Sequence, residues 1–587
     1  VSYGDLIGGK RFDLSLSYAA RTKKTSEYRI VGKSVPRADI AAKATASFAF
    51  VHDVRRPGML HGRVVRPPYT GSETAIGSSL VAIDEASVRH IPGLVKVVRI
   101  GDFVGVVAER EENAIRAARE LKAEWKDWSG MPAFEAFEST LRKYPSKART
   151  IVDDGDVRAA PANAAQAVSA TYIWPYQLHA TLGPSCAVAE MSDGKLTIWS
   201  STRAPHNVRR EAAQLLSMPE EAVRVIHQQG AGCYGLNCAD DACLDAALLA
   251  RAVGRPVRVQ LMRDQEHGWE PKAAAQLIDC HAGLDSDGNI TDYQVTTKYF
   301  TGRAETLAHY LTGARPAKPT IVRQGDRNAA PPYGGIPNLS VTVLDVVPPI
   351  RAAVMRGVAS LPNTFANECF IDELAAAANV DPLRFRLDRL QDPRARAVLE
   401  AAAGKAQWRP RASRPRLASA TQIAKGRGIS YSRYSHGDNP SYAAAYAAWI
   451  ADVEVDPAIG RLRVTRVVVA QDAGLIINPA GVQLQVHGNV IQSISRATME
   501  EVKFDESGVI SLDFQSYPIA RFPDVPEIEV VLIDRPNDPS LGVGESTTVP
   551  SAAAIANAIY DAIGVRVRQA PFTSQRIKTA LASLDLH

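Results

Sequence analysis

Apolar and polar positions alternate along most of this chain in short strand-like runs broken by Pro and Gly. A few helical stretches of regular apolar spacing lie between them. Val95–Ile100 and Phe103–Ala108 flank Gly101-Asp102, the punctuation of a two-residue β-hairpin. Ala114, Ile115, Ala118 and Leu121 then share one helical face behind acidic Glu111 and Glu112. Lys195–Ser201 predicts a strand, Val208–Leu216 a helix and Val223–Ile226 a further strand. A helix from about Asp240 to Gly254 turns Leu244, Leu248 and Leu249 inward. A helix through Phe365, Cys369 and Leu374 closes at Asn379, and Asp381-Pro382 caps the next. Beyond it, Trp449–Val455 and Arg461–Val469 predict strands, Val482–Arg496 a helix, and Ile555, Ile559 and Ile563 a last helix stopped by Gly564.

This pattern predicts an α+β (mixed α/β) fold in several units. Residues 1–28 read as an arm or connector, 29–131 as a compact domain, 132–410 as a second and 411–587 as a third. Lys126–Pro132 is the expected exit linker of the first. The basic stretch Trp408–Arg416 marks the second boundary, its charge read as solvated linker.

Composition narrows the classes. The 587 residues are 46% hydrophobic and 22% charged, ordinary for a globular protein, and far too many for one core. A net charge of +5 without long basic runs gives no nucleic-acid track, and no apolar run reaches bilayer length. Six cysteines exclude a disulfide scaffold. Cys233, Cys238 and Cys243, spaced by fives, match no zinc pattern and read as small buried residues. The chain starts at Val1 without a signal peptide, so an export signal is expected to have been removed or to lie elsewhere.

Candidate chemistry concentrates in glycine-bearing loops. Gly542-Val-Gly-Glu545 places one carboxylate just ahead of the last helix. Taken alone, it reads first as an ordinary Gly-rich loop with a solvated glutamate. Gln228–Gly235 joins a strand to a helix N-terminus, a geometry that receives anionic groups. It lacks the spacing, the Lys-Ser/Thr ending and the ribose-binding acid of a nucleotide site, which disfavours a nucleotide-dependent transferase. Ala353–Gly357 forms the third loop, and three such loops in front of helices suggest one elongated polyanionic ligand.

Asp472-Ala-Gly-Leu-Ile-Ile-Asn-Pro479, Gln485–Gln492, Gly542–Glu545, Met355-Arg-Gly357 and Asn363–Leu374 together resemble the molybdenum hydroxylases of the xanthine dehydrogenase and aldehyde oxidase type. Val1–Lys10 and Arg203–Arg209 are similar to the large (beta) subunit of the bacterial isoquinoline 1-oxidoreductase subgroup, which has nicotinate and aldehyde dehydrogenases among its relatives. The resemblance covers nearly the whole chain. It implies a "hammerhead" α/β domain at 29–131 followed by two molybdenum-cofactor-binding domains.

It further implies a molybdopterin cytosine dinucleotide whose dithiolene holds the metal, with no metal ligand from the protein. Glu545 would be the catalytic base that takes a proton from the metal's hydroxyl, in a pocket dry enough to raise its pKa. Gly232, Tyr234 and Gly235, with Gly544, would approach the cofactor by their backbones, and Val354, Met355 and Arg356 would donate N–H groups to it. Gln177 falls where the family has a glutamine reaching the metal's oxo group, a satisfied polar residue being the other reading. His179 and Gln492 are read as structural.

Gly183 and Cys238 stand where many relatives carry substrate-contacting carboxylates, which disfavours a xanthine-type site. The family's Gly-Gln-Gly pterin-side loop is absent, so the chain is expected to be a fragment or to have its cofactor site completed by a separate polypeptide. The implied activity is oxidation of a small N-heteroaromatic or aldehyde substrate with oxygen from water. The implied partners are a small 2Fe–2S subunit and a possible cytochrome c, in the periplasm, with the cytoplasm as the alternative. A cofactor-less scaffold is the rival reading.

Overall fold

The computed structural model describes every residue except 1, 9–14, 16–18, 20, 72–78, 129, 132–136, 160–163, 301, 303, 317–320, 322, 412–421, 436–443 and 584–587. Parts of the expected arm and of both expected linkers therefore lie outside the described residues.

Three sheets carry the chain. The first has seven strands in the order Val223–His227, Lys195–Ser200, Cys186–Ser192, Val257–Gln260, Leu60–Val65, Phe103–Ala108 and Leu94–Ile100. The hairpin forms as the sequence predicts, with Ile100 paired to Phe103 and Gly101 at φ +60°. The sheet runs across residue 131, because Leu60–Val65 pairs in parallel with Val257–Gln260. Gly62 permits this packing: an added Cβ would lie 2.7 Å from Leu249 and 2.9 Å from Val257 side chains.

A five-stranded sheet (Lys147–Asp154, Leu339–Asp345, Ile290–Tyr299, Gln276–Leu284, Gln166–Trp174) and a four-stranded one (Ala424–Tyr434, Ala445–Asp456, Arg461–Asp472, Glu527–Ile533) share one hydrophobic core. The helix Ser360–Ala377 is buried along nearly its whole length within it. Such all-round burial leaves it no polar face, so apolar periodicity marks it only weakly.

The helix Ser551–Ile563, followed later by Ser574–Ala582, fixes the position of the loop before it. It lies against the strand Ala424–Tyr434 at backbone distance. Gly426 and Gly428 make this possible: a Cβ at either would fall 2.1 Å from the carbonyl oxygens of Ala558 and Ala554 respectively. Strand and helix run antiparallel, so Ser430 Oγ reaches the Pro550 carbonyl and Tyr434, at the strand's end, arrives beside Glu545.

The basic stretch at 408–411 is not all solvated linker. Arg411 pairs with Asp561 of the helix Ser551–Ile563 and lies over the Trp408 ring, which anchors the described part of the connector to the third sheet's helix.

Candidate functional site

Glu545 sits half-buried just before a short turn, Ser546–Thr548, that leads into the helix Ser551–Ile563. Tyr434 donates its hydroxyl to Glu545 Oε2; among the described residues Oε1 has no hydrogen bond. The tyrosine fixes one carboxylate oxygen and leaves the other without a hydrogen bond among the described residues. Burial, with the Glu545 carboxylate as the next cause, holds the Tyr434 phenol far above its usual range, so it stays a donor. Gly544 has ordinary backbone angles, and a Cβ there would meet nothing within 4 Å. Glycine at 544 therefore keeps space open beside Glu545 instead of serving a left-handed turn.

Loops from distant parts of the chain meet here. Tyr234–Leu236 and Val354–Arg356 join as a short antiparallel bridge, with Leu236 N donating to Val354 O (3.2 Å) and Arg356 N to Tyr234 O (2.8 Å). Gly235 is at φ +155°, and a Cβ would stand 2.1 Å from Val354 O. Tyr234 itself is left-handed, at φ +58°, and its ring folds over Gly232, a backbone strain of the kind concentrated at functional sites. The Arg356 guanidinium then reaches the third loop, donating through Nε to Gly544 O (2.6 Å) and through its other nitrogens to Gln485 (2.8 Å) and Gln492 (3.2 Å). Residues 234, 355–356 and 544–545 thus form one assembly.

Several expectations are corrected by this arrangement. The Arg356 peptide N–H is engaged by Tyr234 O and cannot face a ligand; its side chain is the organising group instead. Gln177 is fully buried, and its amide turns away from the open side. Nε2 donates to the Arg496 (2.9 Å) and Glu500 (3.1 Å) carbonyls, while Oε1 accepts from Arg496 Nε (2.8 Å). Arg496 in turn donates to Arg356 O (2.7 Å), so Gln177 acts on the site at one remove. Glu545 is half-buried and bonded to a phenol instead of lying in a dry pocket. The helix N-terminus after the 228–235 loop already carries Asp240 and Asp241, the latter paired with Arg351. A phosphate there would meet like charge, so this loop serves the bridge and not an anion.

Two participants were missed or undervalued by sequence reasoning. Tyr434 lies at the end of a strand without a motif; only the neighbouring Gly426-x-Gly428 spacing hints that this strand runs against a helix. His179 is fully buried with Nε2 3.0 Å from Val354 O and 3.1 Å from Leu236 N, and so clamps the bridge. Burial lowers its pKa to about 4 and keeps it neutral. Behind it Glu270 accepts from the His179 N–H (2.8 Å), and burial raises that carboxyl's pKa to about 8. Cys238 and Cys243 are small buried residues as expected, whereas Cys233 is half-buried and its thiol donates to Gly235 O (3.0 Å).

The donor set suits an oxygen-rich anionic group. Among the described residues, Asn489 Nδ2, Ser493 Oγ and Thr547 Oγ1 are buried without hydrogen-bond partners around the turn after Glu545, beside the Thr548–Asn489 hydrogen bond. Orphaned donors of this kind call for acceptors that the chain itself does not provide.

Residues 142–390 match one molybdopterin cofactor-binding domain and residues 370–526 a second. The chain is 50% identical to a nicotinate dehydrogenase polypeptide of Pseudomonas putida over 99% of its own length and 49% of that protein's, so it spans about half of that relative. It is 27% identical to the beta chain of isoquinoline 1-oxidoreductase of Brevundimonas diminuta, over 94% of this chain and 70% of that one. In fold it is similar to quinoline 2-oxidoreductase of Pseudomonas putida 86, with a TM-score of 0.79 at 17% identity, covering 95% of this chain and 98% of that one.

Proposed function

The chain belongs to the molybdopterin-binding large subunits of the xanthine dehydrogenase family, and from that premise we propose that it forms part of a molybdenum hydroxylase oxidising an N-heteroaromatic compound or an aldehyde. The observation that carries this reading is the meeting of Tyr234–Gly235, Val354–Arg356 and Gly544–Glu545 around one open space, tied together by the Arg356 side chain.

When bound, the cofactor, in its cytosine dinucleotide form, supplies a two-electron redox centre while water provides the oxygen. The chain's own residues do the rest. The backbones of Tyr234–Gly235 and Gly544 would border the cofactor, and Arg356 holds the Gly544 peptide in place. Glu545 accepts a proton at Oε1 while Tyr434 fixes Oε2, so the base keeps one orientation through turnover. Electrons leave to a partner carrying 2Fe–2S clusters, with a cytochrome c as further acceptor, in a periplasmic setting. The Gly-Gln-Gly core of the pterin side, absent from these 587 residues, comes from polypeptide outside them.

A cofactor-less scaffold is the second reading. Purification with its native partners, followed by molybdenum and cytidine nucleotide analysis and dye-reduction assays with isoquinoline, nicotinate and benzaldehyde, separates the two. Stoichiometric metal and turnover support the hydroxylase; their joint absence supports the scaffold.

A further inference from the structure

Four arginines are among the largest fully buried side chains: Arg63, Arg351, Arg386 and Arg496. Three of them sit against carboxylates, Arg63 on Glu111 (2.6 Å), Arg351 on Asp241 (3.3 Å) and Arg386 on Glu368 (3.0 Å). Arg496 differs. Among the described residues it has no acid within ion-pair distance, and it donates instead to two neutral oxygens. Nε goes to Gln177 Oε1 (2.8 Å) and Nη1 to Arg356 O (2.7 Å). Its guanidinium lies 5.8 Å from the centre of the Trp174 ring. A place in the last turn of the helix Pro479–Thr498 offsets part of the cost through the helix dipole. Burial lowers the Arg496 pKa only to about 10, so the group stays charged at neutral pH.

The surrounding charges do not cancel it. Glu500 is buried and accepts from the Tyr517 hydroxyl (2.8 Å), and burial raises its carboxyl pKa, which weakens it as a counter-charge. Glu500 and Glu545 attract Arg496 only through space, and Arg356 repels it. Arg356 likewise has no ion pair among the described residues; its side chain donates to Gly544 O, Gln485 and Gln492. Two guanidiniums without a carboxylate in contact therefore stand in one chain, Gln177–Arg496–Arg356–Gly544, which ends beside Glu545. An unpaired buried cation is costly to a fold, and an apolar side chain of similar size would serve packing alone better.

Resting on the hydroxylase reading above, we propose that Arg496 is a positioning residue with two effects on the redox group bound at this site. Its hydrogen bond fixes the Arg356 carbonyl, so that the Arg356 side chain meets Gly544. Its uncancelled charge favours added electrons at the site and so raises the reduction potential of the bound group.

The test uses the complex purified with its partners and three variants. Arg496→Lys keeps the charge and loses the planar fork, and Arg496→Met loses both. Arg496→Gln is neutral but can still donate to the Arg356 carbonyl. Hydrogen exchange reports the position. Protection of the Arg356 amide, which bonds Tyr234 O, should fall about 10- to 100-fold in Arg496→Met, the worth of a hydrogen bond from a charged group. A redox titration followed by the molybdenum EPR signal reports the charge. In Arg496→Met the midpoint should move down, with about tenfold less reduced form at a fixed poise, or about 30 mV for a two-electron couple. Arg496→Lys should stay near the wild-type midpoint. Arg496→Gln decides the charge if Arg496→Met does not fold, since its midpoint must fall as well. A purely structural arginine would loosen the Arg356 amide and leave every midpoint where it was. Wild-type exchange in Arg496→Met would overturn the positional effect, and a wild-type midpoint in the metal-loaded neutral variants would overturn the electrostatic one. Failure of the hydroxylase reading looks different: wild type itself would give no molybdenum signal, and exchange at Arg356 would still decide the positional effect.

Discussion

Replacing Gly235 with alanine tests whether the bridge between the two loops builds the site. The new Cβ would stand 2.1 Å from Val354 O, 2.7 Å from His179 Nε2 and 2.9 Å from Met355 Cα, where contacts under 3.0 Å are essentially never tolerated. Two of these neighbours are backbone atoms, so no flexible side chain can yield to Val354 O; the loops must separate by close to an ångström. That separation breaks the Leu236–Val354 and Arg356–Tyr234 hydrogen bonds, each worth about 1 kcal/mol. Overpacking adds about 1–3 kcal/mol, so the bridge loses about 3–5 kcal/mol in all. Hydrogen exchange at the Leu236 and Arg356 amides is the direct assay: protection should fall roughly 140- to 4,000-fold, and bound pterin should fall with it. Gly544→Ala is the matched control, because its Cβ meets no protein atom within 4 Å. It should leave exchange at the bridge unchanged and still reduce cofactor content if the open space is where the cofactor lies. Wild-type exchange and full cofactor loading in Gly235→Ala would refute the reasoning.

Two further outcomes follow from the same geometry. Tyr434→Phe removes the donor on Glu545 Oε2 and should lower kcat about tenfold or more, the worth of a hydrogen bond to a charged group, without changing cofactor content; steady-state kinetics with parallel metal analysis checks this. For His179, the folded pKa of about 4 lies below the ordinary 6.5, so the unfolded chain takes up the extra proton as pH falls. The clamp's contribution is therefore complete above pH 6.5 and is lost toward pH 4, amounting to about 3 kcal/mol at the acid end. Cofactor retention measured from pH 7.5 to 4.5 should decline over that window, with a shallower slope in His179→Gln.

Much of the fold was legible because local rules and global packing agree. The Gly101-Asp102 hairpin, the Asp381 cap and the Gly564 stop all form where the sequence predicts them. The family motifs also led to the three loops that meet. What could not be read was how backbone groups are used once loops touch. Arg356 looked like one of several N–H donors, but bridge formation engages that N–H and leaves the side chain to reach Gly544. Gln177 read equally as a group reaching the cofactor or as a satisfied polar residue, and only the position of Arg496, far along the chain, turns its amide inward. Tyr434 and His179 act through contacts made by chain packing, which no local spacing encodes. The seven-stranded sheet crossing residue 131 belongs to the same class, since parallel pairing between Leu60–Val65 and Val257–Gln260 leaves no signature in either strand alone.

The central claim is that one carboxylate works as the proton acceptor on a cofactor held by the converging loops. The most direct measurement is turnover of Glu545→Gln alongside its molybdenum and pterin content, in the complex purified with its partners. Glutamine keeps the size and the Tyr434 contact but is no base, so turnover should vanish while metal and pterin stay at wild-type stoichiometry. Retained turnover in a fully loaded Glu545→Gln enzyme would contradict the account.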